Sequence, residues 1–344
     1  MNKKYGCLIA LLLLALLVSV GLNFGQLLGK LDVDVDVGMD AGFSTAHPKR
    51  HLREVIVETA KKPTQDKIVH IDLEGVISSM EMGGLFAEAM PSVDSIKHAL
   101  EQAVADKKVK AIVLRINSPG GEVTASDIIY NAVKKAAKEK PVVVYMDSMA
   151  ASGGYYVACG ATKIVASETT LTASIGVIIE TMNYSELFDK VGLSMTTFTS
   201  GAFKDSLSGA RPMRDDEKAY VQNLVKQMYE RFLGIVSEAR GVPKDKLKNV
   251  ADGRVVTGRE ALDAKLVDQI GYVEDAYALA RELGLAANAG VVKYRHEVSF
   301  FDAFGMASAK AAQQPAKVQF DLSSGLLPKL QPGVPYFLPP SYAR

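Results

Sequence analysis

The sequence is poor in cysteine and contains no block of basic residues. Its 344 residues include two cysteines, Cys7 and Cys159. Cys7 lies in an apolar run, so we expect no disulfide between them, and Cys159 is typical of a small buried apolar residue. The net charge is only +1, with acids and bases mixed along the chain. Without a basic block or a stripe of alternating aromatic and basic residues, no nucleic-acid partner is indicated.

Histidine is also scarce, which bears on catalysis. None of the five histidines lies in a motif of its own: His47, His51, His70, His98 and His296. The order of catalytic residues along a chain varies between enzymes, so sequence distance alone excludes no histidine. The pattern nevertheless gives no support to a histidine base.

The N-terminus contains a charge-free stretch over residues 5–29. This stretch is long enough to cross a bilayer. Two lysines precede it, which predicts a cytoplasmic N-terminus and a chain that lies mainly on the extracytoplasmic side. The alternative is a cleaved signal peptide with a small-x-small site at residues 19–21. Residues 22–28 remain apolar beyond that site, so a retained single-pass anchor over residues 1–29 is the prediction.

The remaining chain divides into three parts. A linker with a first strand covers residues 30–66; its aspartates lack the glycine and the closing glutamate of a calcium loop. Residues 67–285 alternate between strand-like and helix-like segments, which indicates an α/β fold. Residues 286–344 are of low complexity and then rich in proline, and we expect them to be extended or poorly ordered.

The hydrophobic pattern predicts individual elements. Strands are expected at residues 52–58, 68–77, 111–116, 141–146, 163–167, 175–179 and 195–199. Helices are expected at residues 92–105, 124–138, 155–161, 183–191, 215–240, 244–249, 258–264 and 273–283.

Ser152 lies between the predicted strand at 141–146 and the helix that follows it. A serine at this position presents its hydroxyl outward, and the free N–H groups of the helix start favour negative charge there. Small neighbours, including Gly153, let a substrate backbone approach. Serine nucleophiles are held in this way. The alternative is that Ser152 only caps the helix.

A serine nucleophile needs a base, and Lys204 is the candidate. A lysine acts as a base only when burial lowers its pKa toward neutrality. Lys204 follows Phe203 in a segment after a predicted strand; the alternative is a surface lysine paired with Asp205. Ser174 could hold a neutral lysine on Ser152, or it could be an ordinary turn hydroxyl.

Backbone donors are needed for the oxyanion of an acyl-transfer reaction. The N–H groups of Gly121 and Gly153 could form such a pair, because glycine allows a carbonyl to come close. The alternative for the segment around Gly121 is a plain turn, since a Pro-Gly pair alone is weak evidence.

Four stretches together resemble the signal peptide peptidase A (SppA) family of membrane-anchored serine peptidases. They are residues 116–121 (INSPGG), 150–156 (AASGGYY), 172–177 (TASIGV) and 200–205 (SGAFKD). They occur in the order and spacing of that family, and the resemblance covers about residues 67–283.

The resemblance implies a Clp-protease/crotonase-like fold of repeated ββα units. It implies that Ser152 attacks, that Lys204 is the general base and then the general acid, and that Ser174 orients the lysine. Gly121 and Gly153 would form the oxyanion hole, without metal or cofactor.

The family cuts remnant signal peptides and other hydrophobic peptides at the membrane, and its members form rings. The chain resembles the short form, in which a neighbouring subunit completes each active site, so a homo-oligomer is expected. Short relatives can process their own C-termini, so the tail with Tyr336, Phe337 and Leu338 is hypothesised to thread through the active site.

Two other function classes compete with a peptidase. The same fold holds acyl-CoA isomerases and hydratases, which need neither Ser152 nor Lys204. A non-catalytic membrane scaffold could also retain the fold. The presence of Ser152, Lys204 and Ser174 favours the peptidase.

Overall fold

The computed structural model describes residues 52–79, 92–295 and 335–337, which all belong to one compact unit, Lys49–Arg344. The strands are β1 (Arg53–Glu58), β2 (Lys67–Glu74), β3 (Val109–Ser118), β4 (Gly121–Glu122), β5 (Val142–Ala151), β6 (Lys163–Ala166), β7 (Leu171–Ala173), β8 (Val255–Thr257), β9 (Gln269–Ile270), β10 (Gly290–Arg295) and β11 (Tyr336–Phe337). The helices are α1 (Val93–Ala105), α2 (Val123–Glu139), α3 (Gly153–Ala158), α4 (Ser185–Lys190), α5 (Asp215–Arg240), α6 (Lys244–Leu247), α7 (Gly258–Asp263) and α8 (Val273–Leu283).

A mixed sheet forms the centre of the domain, with strand order β1-β10-β2-β3-β5-β6-β9. The strands from β10 to β9 run parallel, and β1 is antiparallel to β10. Parallel strands need crossover connections, which the helices supply. Beyond Met146, β5 also pairs with β7, and β7 pairs with β8. The far end of β5 therefore has its own strand neighbour, just before Ser152.

The central strands are buried on both faces, which explains their almost continuous apolar sequence. On β3, Ile112, Leu114 and Ile116 belong to the larger core, together with residues of α1, α2, α3 and α5. The alternate residues Ala111 and Val113 pack with α8 on the other face. This two-residue alternation is the geometry of a strand between two helical layers.

Several predicted elements are confirmed. Helices occur at Val93–Ala105, Asp215–Arg240 and Val273–Leu283. The Ser92 hydroxyl caps α1 by accepting the N–H of Ser95 at 3.2 Å. These helices have strong amphipathic patterns and local start signals, so their limits depend little on distant contacts.

Two predicted strands are wrong. The strand expected at 175–179 lies instead at Leu171–Ala173, because Ala173 and Ser174 have φ angles of 60° and 50° and end it. No strand forms at 195–199, where the apolar residues are exposed. Conversely, β10 was not predicted; it lies beyond residue 285 and inserts between β1 and β2.

The predicted membrane anchor lies outside the described residues. Among the helices that the structure does describe, none is both long enough and apolar enough to span a bilayer.

Candidate active site

Ser152 lies directly after β5, at the start of α3, in a conformation rare for a residue with a side chain. Its φ and ψ angles are 53° and −111°. Such a conformation costs of order 1–3 kcal/mol and is retained where the surroundings impose it. Here β7 imposes it: Ala151 pairs with Ala173, and the Ser152 N–H donates to the Ala173 carbonyl at 2.7 Å.

The hydroxyl of Ser152 is buried and unpaired. The residue is 1% exposed, and its Oγ has no hydrogen-bond partner among the residues that the structure describes. Ser152 occupies the N-cap position of α3, but its side chain makes no capping bond. Buried hydroxyls are nearly always hydrogen-bonded, and an unpaired one calls for an explanation.

The backbones of Gly121 and Gly153 approach each other beside Ser152. A Cβ placed on Gly153 would lie 3.1 Å from the Gly121 nitrogen. A Cβ on Gly121 would lie 1.9 Å from the Ile77 carbonyl oxygen, which accepts the Glu122 N–H at 2.8 Å. Neither position has room for a side chain. The structure therefore brings the two predicted oxyanion residues together.

The short strand β4 pairs with a segment from the far end of the chain. Glu122 pairs with Tyr336 and Gly121 with Phe337, in antiparallel register. The N–H of Val123 also donates to the Pro335 carbonyl at 3.2 Å. An extended backbone thus adds to β4 at the predicted oxyanion residue, which is the geometry of peptide recognition by strand addition.

Ser174 is buried next to Ala173, whose carbonyl accepts the Ser152 N–H, but among the described residues its hydroxyl contacts no lysine. It donates to the Gly253 carbonyl at 3.2 Å, and its N–H donates to the Arg254 carbonyl at 2.9 Å. The residue is 2% exposed. In the single chain, Ser174 therefore ties the end of β7 to the segment before β8.

Lys204 is exposed in a turn, and within the described residues no hydrogen bond joins it to Ser152. Over the described residues, its side chain has no hydrogen bond or ion pair. The neighbouring Asp205 pairs with Arg211 at 2.8 Å, and no Lys204–Asp205 pair occurs within the described part of the chain. The Ser152–Lys204 dyad therefore remains a prediction.

The segment that leads to Lys204 is unusual in its exposure. We call residues 181–204 the exposed arm, because most of their side chains face solvent and α4 buries none. Its exposed apolar residues include Met182, Leu187, Val191, Leu193, Met195 and Phe198, the last 93% exposed. So many exposed apolar side chains in one segment are unusual for the surface of a soluble domain.

The histidine in the core is not available as a base. His70 lies on β2, with Nδ1 2.7 Å from the Tyr277 hydroxyl and Nε2 2.8 Å from Asp72 Oδ1. Both ring nitrogens are therefore occupied. Among the residues described, no group of three or more His, Cys, Asp or Glu could hold a metal ion.

Sequence reasoning missed a cluster at the start of α5, formed by Arg211, Arg214 and Glu217. Hydrogen bonds from Arg211 hold the pKa of Glu217 at about 2 and lower the pKa of Asp205. Two arginines and a glutamate spaced by three residues, shortly after Lys204, are a signal that could have revealed it.

The chain matches two protein family models and several known proteases. Residues 134–287 match the model of peptidase family S49, and residues 91–174 match that of the Clp protease family. The chain is 36% identical over 250 residues to the "Putative signal peptide peptidase SppA" of Enterococcus faecium, covering 72% of this chain and 73% of that protein.

Two further relatives and one solved structure are also similar to the chain. The "Putative protease slr0021" of Synechocystis is 37% identical over 65% of this chain and 76% of its own length. "Protease 4" of Salmonella typhi is 35% identical over 68% of this chain and 38% of its own. The ClpP1 structure from Listeria monocytogenes gives a TM-score of 0.37 at 16% identity, covering 59% of this chain and 91% of that chain.

The Clp-protease-like α/β fold and these relatives define a serine endopeptidase. Within that class the chain belongs to peptidase family S49, the family of SppA and protease 4.

Proposed function

We propose that this peptidase is anchored in the cell membrane and degrades remnant signal peptides and other hydrophobic peptides through a Ser152–Lys204 dyad. The observation that carries the proposal is the Ser152 hydroxyl, which is buried, unpaired within the described chain, and held beside Gly121 and Gly153. A buried hydroxyl without a hydrogen-bond partner, at a strained turn, is typical of a nucleophile whose base is supplied by another group.

In the proposed reaction, a neutral Lys204 Nζ takes the proton of the Ser152 hydroxyl as Oγ bonds to the substrate carbonyl carbon. The oxyanion is stabilised by the N–H groups of Gly121 and Gly153. The Lys204 ammonium then protonates the leaving amine as the C–N bond breaks. Water, deprotonated by Lys204, hydrolyses the ester and restores the serine.

We further propose that Lys204 acts on the Ser152 of a neighbouring subunit in a homo-oligomeric ring. The exposed arm supports this, because its apolar surface is unburied in one chain and leads directly to Lys204. Packing of the arm on a second copy would bury this surface. It would also desolvate the amine, and burial favours the neutral form that a base requires.

Hydrophobic peptides are the proposed substrates, cut on the extracytoplasmic side of the membrane. The pairing of β4 with an extended segment supports peptide binding. The charge-free stretch at residues 5–29 supports a membrane anchor. The relative named as a signal peptide peptidase supports the substrate class.

The C-terminal tail is proposed to reach the same site. Residues 335–337 lie along β4, and Phe337 pairs with Gly121. Mass spectrometry of the purified wild type and of Ser152→Ala tests whether the tail is cut. A shorter C-terminus in the wild type alone is expected; identical C-termini would remove self-processing.

The central experiment is labelling with a fluorophosphonate, combined with hydrolysis of a hydrophobic fluorogenic peptide. Wild type should react in both assays, and Ser152→Ala in neither. Ser148→Ala is the matched control, since Ser148 is exposed on the same strand and should react like the wild type. A wild type that neither labels nor cleaves would favour a non-catalytic scaffold.

A further inference from the structure

We propose that Glu217 is a positioning residue for Lys204, acting through Arg211 and Arg214, which hold the residues on either side of the lysine. This inference rests on the proposed role of Lys204 as the base. It adds to the reaction a group that has no contact with the substrate.

The residue after Lys204 is held by Arg211. The Arg211 side chain donates to Asp205 through Nε at 3.0 Å and through Nη2 at 2.8 Å. This two-point contact between guanidinium and carboxylate fixes direction as well as distance. The position of Asp205 therefore follows the position of Arg211.

The residues before Lys204 are held by Arg214. Its Nη2 donates to the Ala202 carbonyl at 2.9 Å, and its guanidinium lies 5.6 Å from the centre of the Phe203 ring. The Phe203 ring also contacts Tyr220 of α5, whose ring centre lies 5.4 Å away. Arg214 thus holds the turn on its other flank.

One buried carboxylate joins the two arginines. The Glu217 side chain is 0% exposed and accepts from Arg211 Nη2 at 2.6 Å and Nη1 at 2.9 Å. It also accepts the Arg214 backbone N–H at 2.8 Å and pairs with Arg214 Nη1 at 2.9 Å. A buried charge with this many partners is costly to disturb. Glu217 therefore determines where both arginines lie.

The turn itself completes the arrangement. The Lys204 N–H donates to the Gly201 carbonyl at 3.0 Å, and the Ser206 hydroxyl donates to the Phe203 carbonyl at 2.7 Å. The backbone around the exposed Lys204 is thus held by hydrogen bonds within the turn. Holding a catalytic group in place before the reaction lowers the barrier, and misplacement by about 1 Å costs roughly 100-fold in rate.

The test is Glu217→Gln in the full-length protein, measured by the rate of fluorophosphonate labelling and by kcat and KM on a hydrophobic peptide. We expect kcat to fall about 10- to 100-fold with KM nearly unchanged. Arg211→Lys should also lose rate, because lysine cannot make the two-point contact. Glu58→Gln, which removes a carboxylate from the half-buried pair with Arg281, is the matched control and should leave kcat unchanged.

A second comparison separates positioning from loss of folding. In a Lys204→Ala background, Glu217→Gln should lower the residual labelling rate no further, because the two changes affect one group. If Glu217→Gln does not fold, Arg211→Lys is measured instead, in the wild type and in the Lys204→Ala variant. It should lower the labelling rate only in the wild type.

Two outcomes would overturn the inference in distinguishable ways. If Lys204→Ala keeps the wild-type labelling rate, both the dyad and the positioning role are wrong. If Lys204→Ala loses the rate while Glu217→Gln keeps it, only the positioning role is wrong.

Discussion

The Ser152 N–H donates to the Ala173 carbonyl at 2.7 Å, and both residues have positive φ angles, 53° and 60°. This bond ends the pairing of β5 with β7 and sets the direction of the chain into α3. The next residue, Ser174, is tied in turn to the Gly253 and Arg254 carbonyls. A short series of backbone contacts therefore holds the serine in its strained conformation, independently of any base.

Shared active sites predict complementation between two inactive variants. Ser152→Ala and Lys204→Ala should each lack peptidase activity. When the two chains are refolded together, about a quarter of the sites should combine an intact serine with an intact lysine from different subunits. Peptide hydrolysis by the mixture measures this recovery. A mixture as inactive as its components would mean that the dyad does not form between subunits.

Removal of the Ser152 hydroxyl should stabilise the fold. The Oγ is buried without a partner in the described chain, so Ser152→Ala should raise the free energy of unfolding by about 1 kcal/mol. Ser118→Ala is a control for which the opposite change is expected. The Ser118 hydroxyl accepts the Gly120 N–H at 3.1 Å, and its removal should lower the free energy of unfolding by about 1 kcal/mol. Urea titrations of both variants give the comparison. A less stable Ser152→Ala would show that the hydroxyl has a structural partner.

Gly121 should tolerate no side chain. A Cβ there would meet the Ile77 carbonyl oxygen at 1.9 Å, so Gly121→Ala should destabilise the fold by about 1–3 kcal/mol and abolish peptide cleavage. Gly234→Ala makes the same change in α5, where the nearest atom is 3.7 Å away. There the higher helix propensity of alanine should add about 0.5–1 kcal/mol of stability. Equal effects of the two substitutions on melting temperature would contradict the close approach at Gly121.

Glu217 should make the free energy of unfolding depend on pH. Arg211 lowers the pKa of this carboxyl from 4.5 to about 2. Between these values the unfolded chain binds a proton that the folded chain does not, so the free energy of unfolding falls as pH falls. The stability advantage of wild type over Glu217→Gln should be constant above pH 4.5 and decline toward pH 2. Urea unfolding of both proteins across this range measures it; an advantage that does not vary with pH would refute the buried ion pair.

Cys159 should be unreactive in the folded protein. The thiol is buried at the end of α3, and burial raises its pKa to about 12. The thiolate is the reactive form, so iodoacetamide at pH 8 should leave Cys159 unmodified until the chain is denatured. Peptide mapping by mass spectrometry distinguishes Cys159 from Cys7. Rapid native alkylation of Cys159 would show that the region around α3 opens.

The predicted strand, turn and helix around Ser152 are confirmed. A buried strand followed by small residues is a local pattern, and the chain around Ser152 forms the turn that this pattern favours. Gly121 and Gly153 lie together because both follow the ends of neighbouring parallel strands. The roles of these residues in catalysis remain predictions.

The errors lie where structure depends on distant partners. The apolar run at 195–199 has a strand-like sequence, but it is exposed, and no strand among the described residues covers it. The strand β10 was missed because its place between β1 and β2 is decided by residues more than 200 positions away.

The amphipathic helices, the apolar central strands and the serine turn follow from local sequence, because each depends on spacing and conformational preference over a few residues. Three features emerge only when the chain is folded: the Ser152 hydroxyl has no partner in the described chain, Lys204 is exposed, and Glu217 binds both Arg211 and Arg214. These facts depend on which groups meet across the fold, and burial and hydrogen bonding between distant residues are not encoded in local pattern.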